Sequence, residues 1–215
     1  MSSIVSRETL GTGVSSVIKN TYRLLSATLF FTAVVAWSTQ GLRLGMLAYL
    51  GCMIGSFALI FAIFRLKNSG LGLVALFAFA GLQGVGLGPV ISHYLRTPEG
   101  SSAVSMASFL TGTVFVGLSA YVHVTKKDFS AWSGMLFAGL MLVVVASIVG
   151  IFVSSSAYQM TIAAVSALVF SGYILFDTSR IVLGGETNYI LATLRLYLDV
   201  LNLFLSLLRL LGGRR

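Results

Sequence analysis

The sequence predicts an all-α fold, a polytopic membrane bundle of seven transmembrane helices with the seventh at its centre. Three observations carry this prediction. The 215 residues are 57% hydrophobic and only 9% charged, with a mean hydropathy of +0.96, whereas soluble domains hold roughly 45–50% apolar and about 25% charged residues. The chain divides into apolar runs close to the ~20 residues that a helix needs to cross a bilayer core. The last of these runs also carries a stripe of polar residues that cannot face lipid. A disordered chain, a coiled coil and a nucleic-acid-binding module are all excluded by this apolarity.

Taken in order, the chain opens on a polar stretch, Met1–Asn20, containing Ser2, Ser3, Arg7, Glu8, Ser15, Ser16 and Lys19. It lacks the basic head, apolar stretch and small-residue cleavage site of a secretion leader, and reads as a retained, flexible cytoplasmic segment over residues 1–21. Helical spans follow at Tyr22–Trp37, Gly45–Phe64, Gly70–Tyr94, Ser101–Val122, Trp132–Phe152, Tyr158–Ile181 and Tyr189–Leu211. The connections are short, so residues 22–211 form one transmembrane domain and 212–215 a short basic tail. Barrel strands would need strict alternation over about ten residues, which is absent. Gly51 with Gly55, and Gly84 with Gly88, form small-xxx-small pairs that allow close helix packing. Pro89 is expected to kink or end the third helix. The glycine-rich Gly81–Gly88 stretch has no preceding strand and no following Lys-Ser/Thr, so it is not a phosphate-binding loop.

The net charge of +8 arises from 14 Lys+Arg against 6 Asp+Glu. One set of loops collects Arg7, Lys19, Arg23, Arg65, Lys67, Lys126, Lys127 and Arg180, while the opposite set holds Arg43 and Arg96. Basic loops stay on the cytoplasmic side, so the N-terminus is expected there. Seven crossings would put Arg214 and Arg215 outside, whereas a re-entrant last segment would return them to the cytoplasm.

Ionisable groups inside a bilayer are costly and mark function. Glu8, Glu99, Asp128 and Glu186 fall outside the spans, which leaves Asp177 in the sixth and Asp199 in the seventh. Arg195, Asp199, Asn202, Ser206 and Arg209 recur at steps of four, three, four and three, lining one helical face about 21 Å long. That face must turn inward, placing the last helix inside the bundle. Tyr173, Asp177 and Arg180 form a shorter stripe. Two readings of the acids follow. Each forms a local ion pair, Arg195 with Asp199 and Arg180 with Asp177, or the two carboxylates meet. A pair at low dielectric cannot ionise both members cheaply, so it would titrate as a unit and act as a pH switch. Cys52, His93 and His123 form no ligand cluster, so no cofactor is expected and a metal enzyme is not indicated.

Two segments, Ser171-Gly-Tyr-Ile-Leu-Phe-Asp177-Thr-Ser and Leu196-Tyr-Leu-Asp199-Val-Leu-Asn202-Leu-Phe, resemble the paired signatures of the Bax-inhibitor family of seven-helix membrane proteins. Gly88-Pro-Val-Ile-Ser-His93-Tyr and Tyr121-Val-His-Val-Thr-Lys-Lys-Asp128 fit as well, and Gly184-Gly-Glu-Thr-Asn-Tyr189-Ile resembles the bacterial branch called modulator of the FtsH protease. The resemblance implies six helices around a central seventh and a pH-sensitive calcium leak gated by the aspartate pair, here Asp177 and Asp199. It also implies binding and restraint of the FtsH protease complex in a bacterial inner membrane. Some members place a basic partner for the pair at the end of the second helix, where this chain offers Arg65 or Lys67. Others add an acid within that helix. Gly51-Cys-Met-Ile-Gly-Ser56 has none, so calcium ions would be bound only weakly, by Asp177 and Asp199 with Asn202 or backbone carbonyls. The expected partners are therefore FtsH, the lipid bilayer and calcium, with no nucleic acid. Two rivals use the same acids: a proton-coupled transporter and an intramembrane aspartyl protease. The latter needs Tyr-Asp and Gly-x-Gly-Asp, whereas the chain has Phe176-Asp177 and Leu198-Asp199, so it is not read as an enzyme.

Overall fold

The computed structural model describes residues 2–213, with side chains from residue 13 onward. The basic tail residues Arg214 and Arg215 lie outside the described residues. Seven α-helices are present among them, α1 (Ser2–Ser38), α2 (Met46–Leu66), α3 (Gly70–Tyr94), α4 (Pro98–Thr125), α5 (Ser133–Val149), α6 (Ser156–Val182) and α7 (Tyr189–Gly212), with a short 3-10 turn at Ser130–Trp132 before α5. Six of them, α2 to α7, are long and apolar enough to cross a membrane. The chain is thus a polytopic helical membrane bundle.

The first helix departs from expectation twice. It begins at Ser2, so the polar stretch expected to be a flexible tail is helical and continuous with the apolar part. Polarity alone does not separate a solvated helix from a coil. Nor does α1 join the set of apolar spans, because Arg23 and the hydroxyls of Thr21, Ser26, Thr28 and Thr32 dilute its apolar half. Three of those hydroxyls turn back on the helix: Thr28 donates to the Leu24 carbonyl at 2.9 Å, Ser26 to that of Tyr22 at 2.9 Å and Thr32 to that of Thr28 at 2.9 Å.

Helix ends follow side-chain chemistry. The Thr97 hydroxyl caps α4 by accepting from the Gly100 N–H at 3.1 Å, with Pro98 at the first helical position. Ser155 caps α6 in the same way, accepting from Tyr158 N–H at 3.3 Å. Lys126 ends α4 in the left-handed region, φ 53°. Pro89 does not end α3, which continues through it to Tyr94.

Two compact units divide the chain, residues 1–96 with 186–197 and residues 97–185 with 198–215. In the first, α3 packs against both α1 and α2. A methyl group on Gly84 would meet the Thr32 carbonyl oxygen and Val35 Cβ, both at 2.8 Å, and one on Gly88 would meet Thr39 and the Ala36 carbonyl. This glycine pair brings α1 and α3 close, as the spacing predicts. The other pair is only half used: Gly55 faces Leu82, but nothing lies within 4 Å of a Cβ at Gly51. In the second unit α6 packs against α4 and α5, and Phe170, Ile174 and Leu203 form a buried cluster with Phe115, Leu118 and Tyr173 around it. Helix α7 gives its first half to one unit and its second half to the other. Two-thirds of its membrane-length window is buried, against a third or less in the other five. The exposed apolar side chains of α2, such as Phe57 and Phe61, and of α5, such as Phe137 and Leu142, suit contact with lipid tails.

Candidate functional site

The second unit holds both membrane carboxylates. Asp177 is 6% exposed and Asp199 5% exposed, a degree of burial that charged groups reach only when paired or hydrogen-bonded. Each is placed by its helix. Asp177 follows Ile174 of the apolar cluster by three residues on α6, and Asp199 precedes Leu203 by four on α7, so the cluster side chains and the carboxylates share faces. Tyr173, one turn before Asp177, is half-buried and packs against the same cluster.

Further polar groups line this unit. The hydroxyls of Thr178, fully buried, and Ser119, 6% exposed, have no hydrogen-bond partner among the described residues. Most helical Ser and Thr here turn back on their own helix, as Ser179 does to the Phe176 carbonyl at 2.8 Å, so these two differ from their neighbours. Buried, unsatisfied hydroxyls have oxygens available to water or a passing ion. Sequence reasoning passed over both, because side-chain type does not reveal which hydroxyls fail to back-bond.

The expected stripe on α7 faces mostly inward. Asp199 and Ser206 are buried, Arg195 and Asn202 half-buried, and Arg209 exposed. Asn202 donates its amide to the Leu198 carbonyl at 2.7 Å, and Ser206 donates to the Asn202 carbonyl at 2.7 Å. Arg180 stacks its guanidinium over the Phe176 ring, 5.8 Å from the centroid. Arg195 belongs to the first unit, where it lies 3.8 Å from Glu186. Arg65 is exposed at the end of α2 and Lys67, just beyond, is half-buried. Both belong to the first unit.

The stretch Gly184–Tyr189 is a structural joint. The Asn188 side-chain oxygen accepts from the N–H groups of Ile190 and Leu191, both at 3.1 Å, which caps α7. Its amide donates to the Lys67 carbonyl at 3.0 Å and to Asn68 Oδ1 at 2.9 Å, tying α7 to the turn between α2 and α3. Glu186 accepts from Asn188 N–H at 3.0 Å. Deeper in the same unit, the Tyr197 hydroxyl meets Thr32 at 2.7 Å. His93 is exposed, Cys52 half-buried rather than enclosed, and His123 Nδ1 lies 2.8 Å from the Ser119 carbonyl oxygen. No group of three His, Cys, Asp or Glu able to hold a metal ion occurs among the described residues.

The sequence model of the family described as "Inhibitor of apoptosis-promoting Bax1" matches residues 14–215. A membrane protein of Vibrio cholerae is 48% identical over 92% of this chain and 89% of its own. The "Modulator of FtsH protease YccA" of Escherichia coli K12 is 42% identical over 91% and 89%. A protein of Campylobacter jejuni is 36% identical over 92% and 88%.

Proposed function

Because the chain belongs to the Bax inhibitor family, we propose that it is a multi-pass inner-membrane modulator of an FtsH-type protease, and that Asp177 and Asp199 line a weak, pH-dependent cation leak within it. The observation that carries the leak is the near-complete burial of two carboxylates in one unit, on helices that share one apolar cluster. Carboxylates at membrane depth cost several kcal/mol and persist where they pair, bind or conduct. Calcium would be cargo here. Two carboxylates fall short of the six to eight oxygens that calcium prefers, which supports passage over tight binding.

The protease reading rests on the Escherichia coli relative, similar over almost the whole of both chains. In this reading the protein acts as a slow substrate that occupies its protease, because packed helices resist extraction. Placement of the N-terminus in the cytoplasm rests on the basic residues of α1 and of the α2–α3 and α4–α5 connections. The reading is of a non-enzyme. Co-purification with an FtsH-type protease, and slower turnover of a protease substrate when the full chain is present, test the first half; loss of both refutes it. Calcium flux into dye-loaded liposomes across pH tests the second, and the same flux driven by an imposed proton gradient would favour a coupled transporter instead.

A further inference from the structure

We infer that a groove between α1 and the start of α7 is a binding site for the headgroup of an anionic phospholipid. The groove, about 390 Å³, is lined by Asn20, Arg23, Leu24, Ala27 and Tyr189, all within the first unit. Its volume is within the roughly 300–1,000 Å³ of ligand clefts. Residues 20, 23, 24 and 27 share one face of α1. Along that face the chemistry changes: Asn20 and Arg23 come first, then Leu24 and Ala27, four residues or about 6 Å of rise from arginine to alanine. A polar end continuing into an apolar one matches a phosphate followed by an acyl chain.

The depth of the groove fits this occupant. Tyr189 is the first residue of α7, and tyrosine at the start of a membrane span sits at headgroup level. Asn188 beside it holds the α2–α3 turn through the Lys67 carbonyl and Asn68. That brings Arg65 and Lys67 to the same end of the unit as Lys19 and Arg23. The acid at this end, Glu186, is engaged by Arg195. An exposed arginine in a groove with a basic surround attracts anionic headgroups, and its planar fork suits phosphate oxygens. A soluble phosphate would use Arg23 and Asn20 but gain nothing from Leu24 and Ala27, so the apolar half commits the site to lipid.

The test is lipid retention by the full-length protein, purified in detergent and titrated with dioleoylphosphatidylglycerol or dioleoylphosphatidylcholine, with bound lipid counted by native mass spectrometry. Phosphatidylglycerol should be retained in preference to phosphatidylcholine. One basic contact contributes about 1 kcal/mol at such a surface, so Arg23→Gln should weaken retention about fivefold. Arg96→Gln, beyond the end of α3 opposite the α2–α3 turn, should leave it unchanged. Ala27→Trp should weaken retention with the arginine intact, by filling the apolar half. Millimolar inorganic phosphate should not displace the lipid. The assignment is overturned if Arg23→Gln or Ala27→Trp binds like the wild type, if phosphatidylcholine binds as well as phosphatidylglycerol, or if inorganic phosphate displaces the lipid and so reveals a soluble-anion site.

Discussion

Replacing Gly84 by Ala tests whether glycine sets the distance between α1 and α3. The new methyl group would lie 2.8 Å from the Thr32 carbonyl oxygen and 2.8 Å from Val35 Cβ, where ordinary van der Waals contact begins at 3.4 Å. Neither neighbour can swing aside, since one is backbone and the other is fixed to it. The helices must therefore separate, which strains the Thr32 hydroxyl's contacts with the Ala80 carbonyl at 3.0 Å and with Tyr197 at 2.7 Å. Overpacking of this kind costs about 1–3 kcal/mol, against a gain of about 1 kcal/mol from replacing glycine in a helix. A net loss of up to ~2 kcal/mol is expected. Gly86→Ala, two residues on, meets nothing within 4 Å and should be neutral or stabilising by up to ~1 kcal/mol. Reversible unfolding in mixed detergent micelles, followed by circular dichroism, measures both. Equal stability of the two variants would refute the close-packing argument.

Two further predictions concern the connections. Asn188→Ala should destabilise the protein by about 1–2 kcal/mol and speed amide exchange at Ile190 and Leu191, whereas Asn188→Asp keeps the cap acceptor, loses the tie to Lys67 and should fall between; identical exchange in all three proteins would dismiss the cap. The Ser130 hydroxyl and its N–H, the latter at 2.8 Å, hold the Asp128 carboxyl below the ordinary carboxylate range. A group depressed in the folded state stabilises its turn above its unfolded pKa and loses that contribution as pH falls through the folded value. The Ser130 amide resonance should therefore titrate at a pH below that of an ordinary aspartate, and not at all in Asp128→Asn; a midpoint at the ordinary value would count against the contact.

Much of this architecture is legible in the residues because the bilayer leaves few options. Charges and turn residues bracket α3, and its observed limits are those that the apolar run predicts, Gly70–Tyr94. The burial of Asp177 and Asp199 could be anticipated from the expense of a carboxylate at that depth. Spacing gives the small-residue pairs but not their neighbours, so Gly51 and Gly55 look alike although only one faces α3. Arg195 shows the same limit: spacing offers it Asp199 four residues on, but gives no sign of Glu186, which the α6–α7 connection brings to 3.8 Å. The N-terminal stretch misleads for another reason. Its serines and charges describe solvation, and a solvated helix and a solvated coil share that composition. Asn188 carried a readable signal, an Asn just before an apolar run, but its second contact, to the α2–α3 turn, depends on tertiary structure.

If Asp177 and Asp199 act together on a cation path, as proposed, pH-resolved calcium flux into liposomes holding the purified protein will depend on both. Asp199→Asn keeps the side-chain volume and removes one titrating charge from the pair. The wild-type flux should vary with pH and the Asp199→Asn flux should not, with Asp177→Asn behaving alike and both variants retaining wild-type helicity. A pH-dependent flux with the same midpoint in wild type and Asp199→Asn would contradict it.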